Sequence, residues 1–427
     1  MIYVHVPFCR SFCTYCGFYS EICSRRGPQQ VQNRIFDAYA AALLEEIHEN
    51  PESPGMSLAI GKAARSSGGE DRATLGNVRG GTLQGGVGAA DVLRPHCYRA
   101  AENNRSPKTL YFGGGTPSVL PAEVLERIVN ALGPADYEEF TVEVNPDDIV
   151  EKGPEYVSHL LAIGVNRISM GVQSFDDGIL RWMNRRHDAA EAREAFRILR
   201  EGGVRNISID LIFGLSQLSD RQWRDSIAEA LALGPEHISA YQLSIEDGSA
   251  LAQLVSKGDY LEAADDQCRR QYDILCKALA EAGYQHYEVS NWALPGREAV
   301  HNSAYWRRVS YIGLGPGAHS FNAETGTRSW NSEELARYGD DGSLHRWTSG
   351  QELLTDAESA EERIMLALRT AEGLPYDEMV RLVTQLGHER AIVDGLLEEG
   401  SLVRDGDSVR IPEDRFFVSD GIITGLI

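Results

Sequence analysis

Basic residues are scarce in this sequence of 427 residues. Lysine and arginine together number 41, whereas aspartate and glutamate number 63, and the formal net charge is −22. Such a balance disfavours a broad electrostatic attraction to nucleic acid or to anionic lipid. We therefore expect a small molecule or another protein as the partner, and no nucleic acid.

Long apolar runs are also absent. No stretch of 18 uncharged apolar residues occurs, and the N-terminus has no basic region followed by an apolar one. Both observations argue against a transmembrane helix and a signal peptide, so we predict a cytoplasmic protein. The hydrophobic content of 42% is ordinary for a globular chain of this length, which has room for two or three domains.

Cysteines are too few and too unevenly placed for a disulfide framework. The seven are an odd number, and three of them crowd into residues 9–16, a pattern typical of reduced thiols with one metal site. Cys9, Cys13 and Cys16 form a C-x3-C-x2-C run directly after the first predicted strand. Three thiolates can bind three irons of a [4Fe–4S] cubane and leave the fourth iron open.

The open iron of such a cluster suits S-adenosylmethionine (SAM). It can chelate the amino and carboxylate groups of the methionyl moiety, so that a reduced cluster can transfer an electron into the sulfonium and cleave a C–S bond. A zinc knuckle and three unrelated buried thiols are the alternatives. Neither explains three cysteines within eight residues on a loop that follows a strand.

Short apolar runs alternate with helical patterns about six times. Such alternation indicates a parallel sheet with right-handed crossovers. Six units make either a three-quarter barrel or an open doubly wound sheet, and periodicity alone does not decide between them. The predicted strands cover residues 2–6, 109–112, 141–144, 167–171, 207–212 and 237–243, and the predicted helices 123–132, 155–163, 189–201, 220–233 and 265–283.

Residues 52–107 interrupt this rhythm. The segment is rich in glycine, poor in aromatic residues and without a sustained period, so we expect a disordered insertion. We predict that it divides a core formed by residues 1–240. Residues 241–335 are predicted to extend that core and to line its pocket.

After residue 335 the pattern becomes mainly helical. Helices are predicted at residues 357–370, 376–384 and 389–399, followed by a short hairpin near Asp405 and Gly406. We therefore predict that residues 336–427 form a small, mostly helical, winged-helix-like domain. The stretch has no basic recognition helix, which favours a structural or partner-binding role over DNA binding.

Glycine and polar residues occur where the predicted strands end. A glycine run precedes Thr116, and Glu143, Gln173 and Asp210 lie at the ends of later strands. Because the carboxyl ends of parallel strands meet at one edge of a sheet, these residues should converge on one cavity with the cluster. Taken singly, each is more typical of a tight turn or a capping residue.

Two further groups are candidates for ligand contact. Arg185 offers a guanidinium that can pair with a carboxylate of the ligand, with a basic helix C-terminus as the alternative. His301, Asn302, Tyr305 and Trp306 combine aromatic and polar groups that could line a pocket for a large planar substrate. Aromatic clusters are more often core, and a lone histidine is usually structural, so the core is the alternative here.

Four segments together resemble a known family. Residues 5–9, 111–117, 166–175 and 301–306 look like those of the radical SAM proteins related to oxygen-independent coproporphyrinogen III oxidase. The likeness covers nearly the whole chain outside residues 52–107. It implies an α/β fold, namely a partial (β/α)6 barrel of the TIM type with a winged-helix-like C-terminal domain.

Within that group the chain is more similar to the haem-chaperone branch, HemW, than to the oxidase. The oxidase carries a fourth cysteine two residues after the triad, where this chain has Phe18. The resemblance implies a [4Fe–4S] cluster, SAM and haem as cofactors. It also implies delivery of haem to acceptor proteins such as respiratory components, including an acceptor met transiently at a membrane.

Whether the chain is an enzyme stays open. Decarboxylation of coproporphyrinogen III, in porphyrin metabolism, and a methyltransferase reaction of the same superfamily are the enzymatic alternatives. In the oxidase a second SAM binds near the later contacts, whereas one SAM is the simpler assumption here. Besides the insertion, Ser216 departs from the family pattern, since related chains usually have proline at that position.

The resemblance also implies the site residues. Haem or substrate contacts are expected at His301, Asn302, Tyr305 and Trp306, and the cluster on the three cysteines. The family's cofactor contacts, carried over position by position, fall on Tyr3, Tyr15, Gly114, Gly115, Thr116, Glu143, Gln173, Arg185 and Asp210.

Overall fold

The computed structural model describes six stretches of the chain, namely residues 1–17, 19–23, 29–49, 106–335, 337–338 and 347–427. Phe18 lies outside the described residues, as does the predicted insertion apart from its last two residues. Within these stretches, no helix is long and apolar enough to cross a membrane.

The described strands are short, and most of the longest lie in the first 245 residues. In chain order they are β1 (Ile2–Val6), β2 (Phe8–Cys9), β3 (Glu21–Ile22), β4 (Thr109–Gly114), β5 (Glu139–Val144), β6 (Arg167–Gln173), β7 (Ile207–Phe213), β8 (His237–Gln242), β9 (Gln285–Glu288), β10 (Asn291–Ala293), β11 (Ile312–Leu314), β12 (His319–Asn322), β13 (Thr327–Asn331), β14 (Thr348–Leu353), β15 (Leu374–Pro375), β16 (Val403–Asp405) and β17 (Ser408–Arg410).

Helices connect most of these strands. They are α1 (Gln29–Glu49), α2 (Ala122–Leu132), α3 (Pro146–Ala162), α4 (Asp177–Trp182), α5 (Ala189–Glu201), α6 (Asp220–Leu233), α7 (Ala250–Lys257), α8 (Asp265–Glu281), α9 (Val300–Trp306), α10 (Asp356–Leu368), α11 (Tyr376–Gln385), α12 (Ala391–Glu398) and α13 (Ser419–Thr424), with 3₁₀ turns at Pro117–Val119 and Glu413–Val418.

A nine-stranded sheet in the order β11-β1-β4-β5-β6-β7-β8-β10-β9 forms the centre of the molecule. Neighbours from β11 to β8 are parallel, whereas β10 is antiparallel to both β8 and β9. Parallel neighbours require crossovers, which helices supply. The six predicted parallel strands correspond to β1 and β4 to β8, which confirms the α/β class and the partial barrel.

Residues alternate between apolar and polar along these strands, as the pleat requires. Leu110, Phe112, Val142 and Ile209 are fully buried and belong to the large hydrophobic core. The intervening positions carry polar groups such as the carboxyl of Glu143, which accepts a hydrogen bond from Tyr111. The concave side of the sheet is therefore polar at the end where the strands terminate.

Helix α3 begins earlier than its sequence pattern indicates. The prediction starts at residue 155, whereas the helix runs from Pro146 and contains a kink at Gly153, with φ of 67°. Glycine tolerates this conformation, and Pro154 then starts the second half with a suitable φ. The first half places Asp147 and Asp148 in the first helical turn, beside the strand ends.

The C-terminal elements match the predicted helices and hairpin. Helices α10 to α12 and the hairpin β16-β17, with β15 on its other edge, form a winged-helix-like arrangement. Strand β14 pairs with β13, which lies on the other side of the predicted boundary at residue 335. The division into three domains itself stays a prediction.

Candidate functional site

A cavity of about 610 Å³ lies at the carboxyl ends of the parallel strands. This is where parallel α/β folds place their ligands. Of the twelve predicted cluster and cofactor residues, all but Tyr3 line it. These are Cys9, Cys13, Cys16, Tyr15, Gly114, Gly115, Thr116, Glu143, Gln173, Arg185 and Asp210.

The three cysteines lie on the loop after β1 and carry different contacts. The Cys9 Sγ is 3.5 Å from the Thr116 Oγ1, and the Cys13 Sγ accepts a hydrogen bond from the Arg185 Nη1 at 3.3 Å. Among the described residues, no three Cys, His, Asp or Glu side chains are placed to hold one metal ion. A cubane distributes its thiolates over three irons, and three thiols on this loop are the donor set that such a cluster takes.

Backbone contacts fix the middle of the cysteine loop. The Thr14 N–H donates to the carbonyl of Met183 at 3.0 Å, and the Leu251 N–H donates to the carbonyl of Thr14 at 2.8 Å. The Asn184 side chain donates to the carbonyl of Phe12 at 2.6 Å. The loop is thus attached to the segment after α4 and to the start of α7.

The glycine run passes so close to the cysteine loop that side chains would not fit. A Cβ on Gly115 would lie 2.6 Å from the carbonyl oxygen of Phe8, and one on Gly114 would lie 2.5 Å from the His5 ring. Gly114 also has a φ of 105°, which L-residues rarely adopt. The run therefore forms a backbone cradle beside Cys9, which fits a ligand that the main chain approaches closely.

Two half-buried carboxyl groups line the cavity together with the cysteines. The Tyr111 hydroxyl donates to the Glu143 Oε1 at 2.7 Å, and the Ser169 hydroxyl donates to the Asp210 Oδ1 at 3.3 Å. Burial raises the pKa of Glu143 to about 7 and the pKa of Asp210 to about 6. Buried acids with raised pKa values in a cavity are typical of ligand sites, and a cationic ligand would stabilise their charged forms.

Arg185 bridges the cluster loop and the strand ends. Besides the contact to Cys13, its Nη2 donates to the Asn145 Oδ1 at 2.5 Å and to the carbonyl of Gly171 at 2.6 Å, whereas its Nε has no hydrogen-bond partner. Nearby, Gln173 has a φ of 68° at an irregularity in β6. Strained backbone of this kind is often found at ligand sites.

Tyr3 does not line the cavity. Its hydroxyl is 3.1 Å from the His5 Nδ1, and its ring packs on Tyr111 with 6.1 Å between ring centroids. It also lies against Gly113, where a Cβ would be 3.1 Å from the Tyr3 ring. The side chain therefore packs behind Tyr111 and Gly113, beside the residues that do line the cavity.

None of the four haem candidates lines the cavity, although the His301 ring packs on Tyr111 with 5.0 Å between ring centroids. His301 is fully buried, its Nδ1 is 2.7 Å from the Thr109 Oγ1, and its Nε2 is 2.9 Å from the Tyr305 hydroxyl. Thr109 is the first residue of β4, at the opposite end of the sheet from the cavity. Asn302 and Trp306 share helix α9 with His301 and are half-buried. Their role in haem binding stays a prediction.

Several lining residues escaped the sequence argument. Tyr241 and Gln242 end β8, Glu246 follows it, and all three line the cavity. The strand-end rule that found Glu143 applies to them as well. Asn145, two residues after Glu143, and Arg186, directly after Arg185, line it too. Their contacts arise from tertiary packing, for which the sequence carries no local signal.

Comparisons with known proteins agree on a family. The model of the radical SAM superfamily matches residues 96–230. The chain is 31% identical over 381 residues to the heme chaperone HemW of Bacillus subtilis, covering 87% of this chain and 84% of that protein. It is 28% identical over 433 residues to the heme chaperone HemW of Mycobacterium tuberculosis, covering 100% of this chain and 94% of the relative.

A solved structure shares the whole architecture. The coproporphyrinogen III oxidase HemN of Escherichia coli, described as a radical SAM enzyme, superposes with a TM-score of 0.69 at 20% identity, covering 100% of this chain and 89% of that one. At this identity the likeness concerns the fold alone. It confirms that the partial barrel and the C-terminal elements occur together in one known architecture.

Proposed function

Because this chain belongs to the HemW family of radical SAM proteins, we propose that it is a haem chaperone that holds a [4Fe–4S] cluster and SAM. The cluster is assigned to Cys9, Cys13 and Cys16. The observation that carries this assignment is the cavity, which is lined by the three thiols, the glycine cradle and two half-buried carboxyl groups. Haem and haem-accepting proteins such as respiratory components are the proposed partners.

The donors in the cavity fit the two absent groups. When bound, the cluster supplies an iron that chelates the methionyl part of SAM, and the protein's part is to orient and enclose it. The Glu143 carboxylate, held by Tyr111, would accept a hydrogen bond from the ligand's amino group. The backbone of Gly114 and Gly115 would border the same group, and Asp210 would accept from a second donor farther along the sheet.

Charge in the cavity favours a cation over an anion. Glu143, Asp147, Asp210 and Glu246 line it, against the guanidinium groups of Arg185 and Arg186, and Arg186 already pairs with Asp147. SAM carries a sulfonium and an ammonium, whereas haem carries two propionates. Because like charges in a confined site repel, we propose that haem binds outside this cavity.

The test separates chaperone from oxidase. Reconstituted protein is incubated anaerobically with SAM, a reductant and coproporphyrinogen III, the products are separated by chromatography, and haem is titrated into the same preparation. Haem binding without protoporphyrinogen would support the proposal. Stoichiometric decarboxylation would identify an oxidase instead, and the absence of both haem binding and product would refute the proposal.

The cluster assignment has its own control pair. Cys13→Ala should prevent formation of the brown, iron-loaded protein, whereas Cys276→Ala should not, because Cys276 lies on α8 and does not line the cavity. Iron and sulfide are counted after anaerobic reconstitution. A full complement of iron in the Cys13 variant would contradict the assignment.

A further inference from the structure

Asp148 is a fully buried carboxylate that does not line the cavity but contacts three segments that build it. Its Oδ2 accepts a hydrogen bond from the Ser118 hydroxyl at 2.8 Å. Its Oδ1 lies 3.3 Å from the Arg10 Nη1 and 3.4 Å from the Arg186 Nη2. We propose that Asp148 is a positioning residue that fixes the cysteine loop relative to the glycine cradle and the Arg185 segment.

Each partner of Asp148 lies within two residues of a cluster cysteine or of a residue that contacts one. Arg10 follows Cys9 directly in the sequence. Ser118 comes two residues after Thr116, whose hydroxyl is 3.5 Å from the Cys9 Sγ. One buried carboxylate therefore reaches both the loop that carries the thiols and the cradle beside them.

Arg186, the third partner of Asp148, connects it to Cys13. Arg186 follows Arg185, which donates to the Cys13 Sγ at 3.3 Å. A shift of Arg186 relative to Arg10 would change the distance between Arg185 and the loop. Because Asp148 contacts both Arg10 and Arg186, it fixes the spacing of the Cys9 and Cys13 ends of the loop.

The first two turns of α3 support this arrangement. The Ser118 hydroxyl accepts from the Asn145 N–H at 3.1 Å, and the Lys152 Nζ donates to the carbonyl of Leu120 at 2.6 Å. Arg10 also pairs with Glu151, one turn after Asp148. The helix dipole favours an acidic side chain in the first turn. The N-terminus of α3 therefore stabilises the Asp148 carboxylate in addition to its side-chain partners.

Electrostatics makes this contact more than an ordinary surface ion pair. The Asp148 side chain is 0% exposed and that of Arg10 is 12% exposed, so solvent screening is weak. Removal of a buried partner leaves uncompensated charge behind. Asp148→Asn keeps the shape of the side chain and the contact with Ser118 but removes the ion pairs with Arg10 and Arg186. Arg10→Gln removes the ion pair between Asp148 and the cysteine loop while leaving Asp148 unchanged.

The inference rests on the proposed cluster, so the experiment has one readout that needs the cluster and one that does not. Loss of iron to a chelator is followed after reconstitution, and hydrogen exchange of residues 9–17 is followed in the apo-protein. We expect both variants to lose iron about 10- to 100-fold faster than wild type, the range for removal of a group that orients metal ligands. Glu155→Gln, on the exposed side of the same helix, is the matched control and should behave as wild type.

The outcomes test the positioning role of Asp148 separately from the cluster assignment. Faster exchange confined to the cysteine loop, with unchanged circular dichroism, supports the positioning role. Unchanged exchange and iron loss, or faster exchange spread equally over β5 to β7, would overturn it. If Asp148→Asn does not fold, Arg10→Gln decides alone. A wild-type protein that takes up no iron would refute the cluster, whereas loop exchange would still test Asp148.

Discussion

Glu143 is a cavity residue whose charge depends on pH near neutrality. Its half-buried carboxyl accepts a hydrogen bond from Tyr111, and desolvation raises its pKa to about 7. Glu143→Gln removes the charge while keeping the shape, and a hydrogen bond to a charged group contributes about 1.5–3 kcal/mol. We therefore expect SAM binding to cluster-loaded protein to weaken roughly 10- to 100-fold. Isothermal titration calorimetry under anaerobic conditions measures this.

The sign of the pH effect follows from the protonation state. Below its pKa the Glu143 carboxyl is protonated and cannot attract a cation, and Asp210, with a pKa of about 6, behaves in the same way. SAM affinity of wild type should therefore rise between pH 6 and pH 8 and then level off. In the Glu143→Gln variant, SAM affinity should change less with pH. Glu138 is exposed, so the Glu138→Gln variant should show the same pH dependence as wild type. An equal slope in the Glu143 variant would exclude this role.

The position of Gly115 has no room for a side chain. A Cβ at this position would meet the Phe8 carbonyl oxygen at 2.6 Å and the Phe8 nitrogen at 2.9 Å, and backbone atoms cannot rotate away as a side chain can. Gly115→Ala should lower the free energy of unfolding by about 1–3 kcal/mol, as overpacking does. Urea unfolding measures this.

The control for Gly115 lies in a helix where space is open. A Cβ on Gly395 of α12 would have no heavy atom within 4 Å. Gly395→Ala should therefore raise the free energy of unfolding by about 0.5–1 kcal/mol, because alanine loses less entropy than glycine in a helix. Equal free energies of unfolding for the two variants would mean that the backbone around Gly115 shifts to accommodate a Cβ at little cost.

At the scale of elements, the parallel strands were the most predictable feature. Each predicted strand overlaps its counterpart in the sheet, because buried parallel strands consist of short apolar runs. The first half of α3 was missed, since Gly153 and Pro154 look like a helix start. Strands β9 to β11 have three or four residues each, too few for a periodic signal.

The site was predictable where it depends on strand ends. Cys9, Glu143 and Asp210 lie in or directly after parallel strands, so topology alone brings them together. Asp148 and Arg10 contact each other across 138 positions of sequence, and no local pattern indicates such a pairing. The strand-end rule thus predicted the cavity lining but not the contacts that hold it.

Helix α9 depends on a carboxylate from a neighbouring strand. Glu139 is buried, and it accepts hydrogen bonds from the Val300 N–H at 2.7 Å and the His301 N–H at 3.2 Å. Burial alone would lower the pKa of the nearby Arg167 guanidinium, and the Glu139 charge reverses that effect. Glu139→Ala removes this charge from Arg167 and leaves the Val300 and His301 N–H groups without their acceptor. It should therefore lower the free energy of unfolding by about 1–3 kcal/mol for each unpaired group.

The neighbouring residue is a matched control for this prediction. Glu138 is exposed, and a surface substitution of this kind changes stability by no more than about 0.5 kcal/mol. Urea unfolding of Glu139→Ala and Glu138→Ala therefore compares the buried first residue of β5 with the exposed acid that directly precedes it. Similar stabilities of the two variants would show that water or another group compensates Arg167.

At the scale of the whole molecule, the cavity connects elements that are far apart in sequence. Its lining comes from the segments after β1, β4, β5, β6, β7 and β8, which are the six parallel strands of the barrel. A ligand that contacts all of them stabilises the sheet as a unit, because it binds the folded state only. The HemN structure shares this fold over 100% of this chain and 89% of its own.

SAM should therefore stabilise the whole protein, but only after the cluster is in place. At a concentration of 100 times the dissociation constant, a ligand specific for the folded state adds about 2.7 kcal/mol. Thermal unfolding under anaerobic conditions should show a rise in midpoint with SAM in loaded protein and little change in the apo-protein. The Cys13→Ala variant should resemble the apo-protein, because it lacks the iron to which the methionyl group binds. Equal stabilisation of apo and loaded protein would mean that the polar strand ends hold SAM without iron, and that the cluster has a separate task.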